Sequence, residues 1–244
     1  MTRSETGAAR IENREYYDEF SKTYEDRRHE GYHVLIDELQ SELVIDAVGG
    51  LDALEVGCGT GLILQRVAPA AKRAVGIDLS PGMLSLARER GLEVQEASAT
   101  ELPFQDETFD VSYSFKVLSH VPDLALALSE MGRVLRPGGR SFIGLYNRQS
   151  LRYLIRRLRG GHAIAEGIDD NQVFFRFYSP DEMIEQLPES LELVQLHGVR
   201  IATTLPSMVS WPVLGPSLCW LERRLRSSLF ARFGGFMVLE CRKK

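Results

Sequence analysis

Apolar positions follow two rhythms along this chain. From Glu12 to Arg28 aromatic residues recur every four positions, at Tyr16, Phe20 and Tyr24, the spacing of one helical face. A second helical stretch is expected from Tyr32 to Val48, stopped by Gly49 and Gly50, which suit a left-handed cap. The rhythm then changes to short apolar runs. Ala53 to Val56 and Ala74 to Ile77 read as buried parallel strands. Between them Leu62 to Val67 reads as a helix leaving a glycine-rich turn, and after them Ser80 and Pro81 open a helix that Gly91 closes. Leu92 to Glu96 and Phe109 to Ser114 supply two more strands. Leu124, Leu128, Met131 and Leu135 mark one face of a helix after Asp123, and Pro137, Gly138 and Gly139 turn the chain into a fifth strand, Arg140 to Tyr146. Strand and helix in alternation imply right-handed crossovers and a parallel sheet covered on both faces.

The remainder is less regular. A basic amphipathic helix is expected from Ser150 to Arg159, followed by a Gly160-Gly161 break, an aromatic segment from Phe174 to Tyr178, and a capping-box helix start at Ser179-Pro180-Asp181-Glu182. Leu191 to Val199 and Gly235 to Cys241 form a final strand pair, separated by an insertion from Ala202 to Arg232 with helical content.

Composition narrows the partners. A chain of 244 residues suits one α/β domain, or one domain with a small cap. A formal charge of -5 and a pI near 5.6 lack the basic excess that releases counterions from a polyanion, so no nucleic acid partner is expected. Cys58, Cys219 and Cys241 lie far apart, in no zinc or disulfide spacing, which suits a reducing cytoplasm. No metal is expected. The first residues show no apolar run of a secretory signal, and the apolar stretch from Leu205 to Leu221 is broken by prolines and ends in charge, unlike a membrane span.

The chemistry concentrates where the first strand runs into Gly57-Cys58-Gly59-Thr60-Gly61. Glycines there let backbone approach a ligand, and the helix behind them would offer N–H groups and a positive dipole end. A tight strand-to-helix turn is the plain alternative. A dinucleotide fingerprint would place its third glycine at Leu62, so a pyrophosphate cradle is incomplete. Glu55 would aim a carboxylate at this turn, repelling a pyrophosphate but able to accept the ammonium of a methionine moiety. Asp78 ends the neighbouring strand, where a carboxylate can take both hydroxyls of a ribose; capping the next helix is its alternative role.

The successive segments LEVGCGTG, VGIDLSPGML, LPFQDETFDVSYSFKVLSHVPD and RVLRPGG, spanning Leu54 to Gly139, resemble the motifs of class I S-adenosylmethionine-dependent methyltransferases, in particular the ubiquinone/menaquinone-biosynthesis and natural-product subgroup. The resemblance implies a Rossmann-like, seven-stranded, mostly parallel sheet with helices on both faces and an antiparallel last strand. It also implies a helical N-terminal lid over residues 1–49 and a methyltransferase domain over 50–244, forming one compact unit. In that domain 50–146 is the cofactor half, 147–190 holds acceptor-side elements and 202–232 is the insertion. Glu55, Gly57, Cys58, Gly59 and Gly61 would contact the methionine part of S-adenosyl-L-methionine, Asp78 its ribose, Leu79 and Met83 its adenine, and Phe115 would line the cofactor. The family's adenine-binding aspartate falls at Ser98, followed by Ala99; a serine hydroxyl accepts that hydrogen bond more weakly, while the Ala99 N–H can serve a ring nitrogen.

The segment YYDEFSKTYEDRR resembles the subgroup's lid, with Tyr16 and Tyr24 as candidates to close over the cofactor; core packing explains their spacing equally. His120 is the candidate general base, against the plainer roles of capping backbone or touching the cofactor. Lys116 and Asn147 also lie near the pocket without an assigned role. Ser114-Phe115-Lys116-Val117 departs from the Pro-Pro-aromatic motif of base- and amide-modifying enzymes, which points to a small acceptor; Phe174, Phe175, Phe177, Tyr178, Trp211 and Trp220 would suit an apolar or aromatic one, although completing the core is the favoured account of most of these rings. A lipid or isoprenoid acceptor at a membrane surface and a non-catalytic S-adenosylmethionine-binding protein are the alternatives.

Overall fold

The computed structural model describes residues 13–26, 28, 31–158, 163–165, 168–169 and 174–244. Residues 13–20 form helix α1. The following elements are α2 (Gly31–Val48), β1 (Asp52–Val56), α3 (Leu64–Val67), β2 (Arg73–Asp78), α4 (Pro81–Glu89), β3 (Glu93–Glu96), β4 (Phe109–Ser114), α5 (Leu124–Arg133), β5 (Leu135–Tyr146) and α6 (Leu151–Leu158). A small hairpin of β6 (Ala163–Ala165) and β7 (Ile168–Asp169) precedes α7 (Pro180–Glu185), β8 (Leu191–Val199), α8 (Leu214–Leu225) and β9 (Phe236–Lys243).

Seven strands make one sheet in the order β3-β2-β1-β4-β5-β9-β8. The first five pair in parallel, and β9 runs antiparallel to both β5 and β8. Alternate residues feed two buried layers, as a period of two requires when both faces are covered. Leu54, Val56, Val75, Ile77, Met237 and Leu239 meet Leu124, Leu128 and Met131 of α5 on one face. Ala53, Val111, Tyr113, Phe142 and Val238 meet Leu43, Val44 and Val48 of α2 on the other. Each fully buried leucine contributes roughly 1.5–3 kcal/mol.

Three elements differ from expectation. Residues 21–26 are turns, so α1 ends early: Lys22 and Thr23 donate to carbonyls three residues back, and the Ser21 hydroxyl takes the Asp18 carbonyl, a tightening that closes a helix. The helix after the glycine turn is one turn long, because Pro69 converts the chain to a 3₁₀ turn at Ala68–Ala70. β5 begins at Leu135 rather than Arg140, and the turn at Pro137 to Gly139 becomes a bulge where the register with β4 shifts between Phe109 and Val111. Glu12, Arg159 and the Gly160-Gly161 break lie outside the described residues. Among the described residues no helix is long and apolar enough to cross a membrane.

Candidate functional site

A cavity of about 850 Å³ runs along the C-terminal edge of the sheet, from Asp78, Ser98 and Asp123 at one end to Arg200, Arg152 and Phe236 at the other. Parallel α/β sheets bind ligands at this edge. The first end lies over β1, β2 and β4, and the second over β5, β9 and β8.

At the first end the backbone of the glycine turn is tied to β2. Gly57 and Cys58 both donate to the Ile77 carbonyl, Gly59 donates to Asp78 Oδ2 at 2.9 Å, and Gly61 donates to the Cys58 carbonyl. These amides are therefore already spent. With α3 only one turn long, the turn has little capacity left to cradle an anion. Gly57 has φ +77°, and a β-carbon there would lie 2.5 Å from the Val117 side chain, so only glycine fits.

Glu55 is 3% exposed, and its Oε2 is buried with no hydrogen-bond partner. Burial raises its pKa well above the ordinary value, against the pull of the Lys116 ammonium and of the nearby Tyr113 hydroxyl, which stands close without reaching hydrogen-bond geometry to Oε2. A carboxyl kept in this state is expensive to ionise unless a cation joins it. Asp78 is also raised by burial, opposed by N–H bonds from Ser80 and Gly59. Each of its oxygens takes one of those bonds, which leaves lone pairs for hydroxyl donors.

Lys116 stands in the left-handed region at φ +65°. Its Nζ donates to Asp37 Oδ1 at 2.6 Å, which fixes α2 to the end of β4. Burial would raise Asp37, but the Lys116 and Arg28 charges hold it below the carboxylate range.

The α1 segment closes the first end through four polar ties. The Asn13 amide bridges the His120 carbonyl and the Phe174 N–H, Arg14 pairs with Glu96 at 2.5 Å, Asp18 Oδ1 accepts from Gly82 N and Ser80 Oγ, and Arg90 grips both oxygens of Glu25 at 2.6 and 2.8 Å. Gly82 is required for this approach, since a β-carbon would sit 2.5 Å from Ser21 Oγ.

His120 is buried in the middle of the cavity, with Tyr17 and Tyr146 edge-on to its ring at 5.9 and 5.7 Å. Its Nδ1 faces the Phe174 carbonyl at 3.0 Å, so a neutral ring carries its proton there and keeps the Nε2 lone pair. Burial holds its pKa down to about 4, outweighing that bond.

Of the residues singled out from sequence, Tyr24, Glu55, Gly57, Cys58, Gly59, Asp78, Leu79, Met83, Ser98, Ala99, Phe115 and His120 all line this one cavity, as does Lys116. Tyr16 does not. It stacks on Tyr17 and Phe20, and Tyr17 takes the inward position. Gly61 instead faces Leu92 and Ala87. Asn147 is buried and satisfied by the carbonyls of Arg232 and Gly234 and the amide of Gln149. Trp211 and Trp220 are 43% and 60% exposed and lie outside the lining, as do the aromatic residues from Phe174 to Tyr178. Sequence reasoning missed Tyr17, Arg28, Asp37, Tyr146 and Arg200, whose approach depends on tertiary packing.

Residues 54–143 match the model of a methyltransferase domain. A ubiquinone biosynthesis O-methyltransferase of Methylococcus capsulatus is 32% identical over 161 residues, covering 63% of this chain and 68% of that protein. One of Alkalilimnicola ehrlichii is 32% identical over 154 residues, 58% of this chain and 62% of that protein. Two other curated relatives are matched over 31% and 39% of their own length. The solved structure of an S-adenosylmethionine-dependent methyltransferase from Thermotoga maritima superposes with a TM-score of 0.67 at 24% identity, covering 95% of this chain and 99% of that one; at that identity the likeness concerns the fold.

Proposed function

This chain belongs to the class I S-adenosylmethionine-dependent methyltransferases, and we propose that it moves the methyl group of S-adenosyl-L-methionine to a small apolar or aromatic acceptor. One observation carries this reading: a buried carboxyl of Glu55, with Oε2 outside hydrogen-bond geometry to any described residue, beside a glycine turn whose Gly57, Cys58, Gly59 and Gly61 amides are already engaged. That arrangement suits an ammonium group and disfavours a phosphate. Glu55 receives the ammonium, and Asp78 accepts the ribose hydroxyls with its remaining lone pairs. Leu79 and Met83 cover the adenine, while the Ser98 hydroxyl and the Ala99 N–H address its edge. Phe115 and the backbone of Gly57, Cys58 and Gly59 shape the space around the methionine chain. Tyr17, Tyr24 and Arg28 close it from the lid.

When bound, the cofactor's sulfonium supplies an electrophilic methyl group. The chain's own work is then positioning and the exclusion of water, which can supply several kcal/mol. His120 contributes an uncharged imidazole whose Nε2 can hold a proton from a hydroxyl acceptor. With a pKa near 4 it is a weak base at neutral pH, so its main service is orientation. A lipophilic acceptor met at a membrane surface is a second reading, favoured by Leu151, Leu154 and Leu158 standing exposed along α6 and by exposed Val213, Leu214, Leu229 and Phe230.

The test is incubation of the purified chain with the cofactor and fractionated metabolite extracts, read by mass spectrometry. The expected result is a metabolite that gains one methyl group together with stoichiometric S-adenosylhomocysteine. Cofactor binding without any methylated product would leave a binding protein and overturn the enzyme reading.

A further inference from the structure

The far end of the cavity holds a charge that neither the glycine turn nor the cofactor residues use. Arg200 follows β8, is 5% exposed, and lines the cavity. Its backbone stands in the left-handed region at φ +67°, a strain that non-glycine residues hold mostly where the surroundings demand it. The Tyr32 ring lies against the guanidinium at 4.6 Å and the Phe236 ring at 5.9 Å. Among the described residues its hydrogen bonding is one contact, Nη2 to the Thr204 carbonyl at 3.0 Å, and its Nε is buried without a partner.

No carboxylate among the described residues pairs with it. Glu222 is the acid whose field reaches Arg200, yet the Glu222 oxygens are occupied by the amides of Ile201, Ala202 and Thr203 and by the Thr203 hydroxyl. Burial consequently drags the guanidinium pKa down to about 9. An unpaired buried cation is costly, and the rings offset only part of that cost.

A second guanidinium shares this end. The stems of Arg200 and Arg152 come within 3.5 and 3.7 Å of the point where a β-carbon on Gly235 would lie, and Arg152 also lines the cavity. The wall between the two arginines and His120 is Tyr146, which packs on Phe236 at 5.3 Å. The chemistry is therefore an aromatic-walled slot with positive charge at its far end.

We propose that the acceptor is a planar or aromatic carboxylic acid, whose carboxylate is received by the Arg200 guanidinium with Arg152 beside it, while its ring lies along Tyr146 and Phe236 toward His120. This rests on the methyltransferase reading and narrows its acceptor. A guanidinium donates strong, charge-assisted N–H bonds to carboxylate oxygens, and among the described residues Nη1 of Arg200 has no partner, while Nη2 is held by Thr204 and Nε is buried. A phosphate dianion would ask for more donors than this apolar slot offers. Stacking occupies the faces of the guanidinium, so the ligand must approach edge-on, which sets the ring's direction along the cavity.

Calorimetry on the full chain saturated with S-adenosylhomocysteine tests this with matched acid and amide probes: benzoate and benzamide, cinnamate and cinnamamide, 2-naphthoate and 2-naphthamide. At least one acid should bind about tenfold or more tightly than its amide. Arg200→Met should abolish that preference with S-adenosylhomocysteine affinity retained. If Arg200→Met does not fold, Arg200→Lys and Arg152→Met serve instead, and each should lower the preference. The inference is overturned if no acid in the panel outbinds its amide, including the case that none binds, or if the preference survives these substitutions undiminished. Failure of the wild-type chain to take up S-adenosylhomocysteine at the outset would instead strike the cofactor reading.

Discussion

Glu55 carries opposite consequences for the empty and the filled protein. Its folded-state pKa is raised by burial, so its contribution to stability is fully present below the ordinary glutamate value and is lost as pH rises through the folded value. Glu55→Gln removes that loss, and without ligand its melting temperature should exceed the parent's at neutral pH while converging with it in acid. With S-adenosylhomocysteine present the order should invert, because the variant forfeits a buried charge-assisted contact worth about 2 kcal/mol or more. Thermal denaturation across a pH series, with and without ligand, reads both signs; equal ligand stabilisation of the two proteins would remove Glu55 from the ammonium site. Asp78 behaves differently, since its carboxylate also holds Gly59 and Ser80, and a lost side chain there would disturb the turn as well as the ligand.

At the scale of elements, the glycine turn and the lid depend on close backbone approach. A β-carbon at Gly57 meets Val117 and the left-handed φ together, so Gly57→Ala should destabilise the fold by roughly 1–3 kcal/mol and weaken cofactor uptake, as chemical denaturation and ligand titration would report; wild-type values for both would mean that β1 and the Val117 loop are not packed as described. The elements that sequence located well are those with strong punctuation: Asp123 does cap α5, Ser80 and Pro81 do start α4, and the capping box at Ser179 and Glu182 is formed. Less legible were lengths set by competition. Pro69 cut α3 short, the Ser21 hydroxyl closed α1, and the bulge after Leu135 let β5 begin before its glycines. Tyr16 and Tyr17 are adjacent, and only tertiary packing decides which of two neighbours faces inward.

For the whole molecule, the parallel part of the sheet follows from the alternation of strands and helices, whereas the antiparallel last strand was expected from the family resemblance and the strand order is seen in the structure alone. The glycine-turn end of the cavity was likewise readable as a cluster, because glycines and strand-end carboxylates announce themselves within short segments. The end proposed for the acceptor was not. Arg200, Tyr146 and Tyr32 converge from the residue after β8, from β5 and from α2, and nothing local in their sequences marks the meeting. What unites both ends is a buried ionisable group lining the cavity: a carboxyl whose Oε2 has no hydrogen-bond partner at one end and a guanidinium without a carboxylate among the described residues at the other. The most direct measurement of the first is calorimetric titration of the purified chain with S-adenosylhomocysteine in buffers of different ionisation enthalpy. Uptake at one site per chain with net proton release is predicted, since a bound ammonium pulls the raised Glu55 pKa back down. No uptake, or uptake of NAD in its place, would contradict the account.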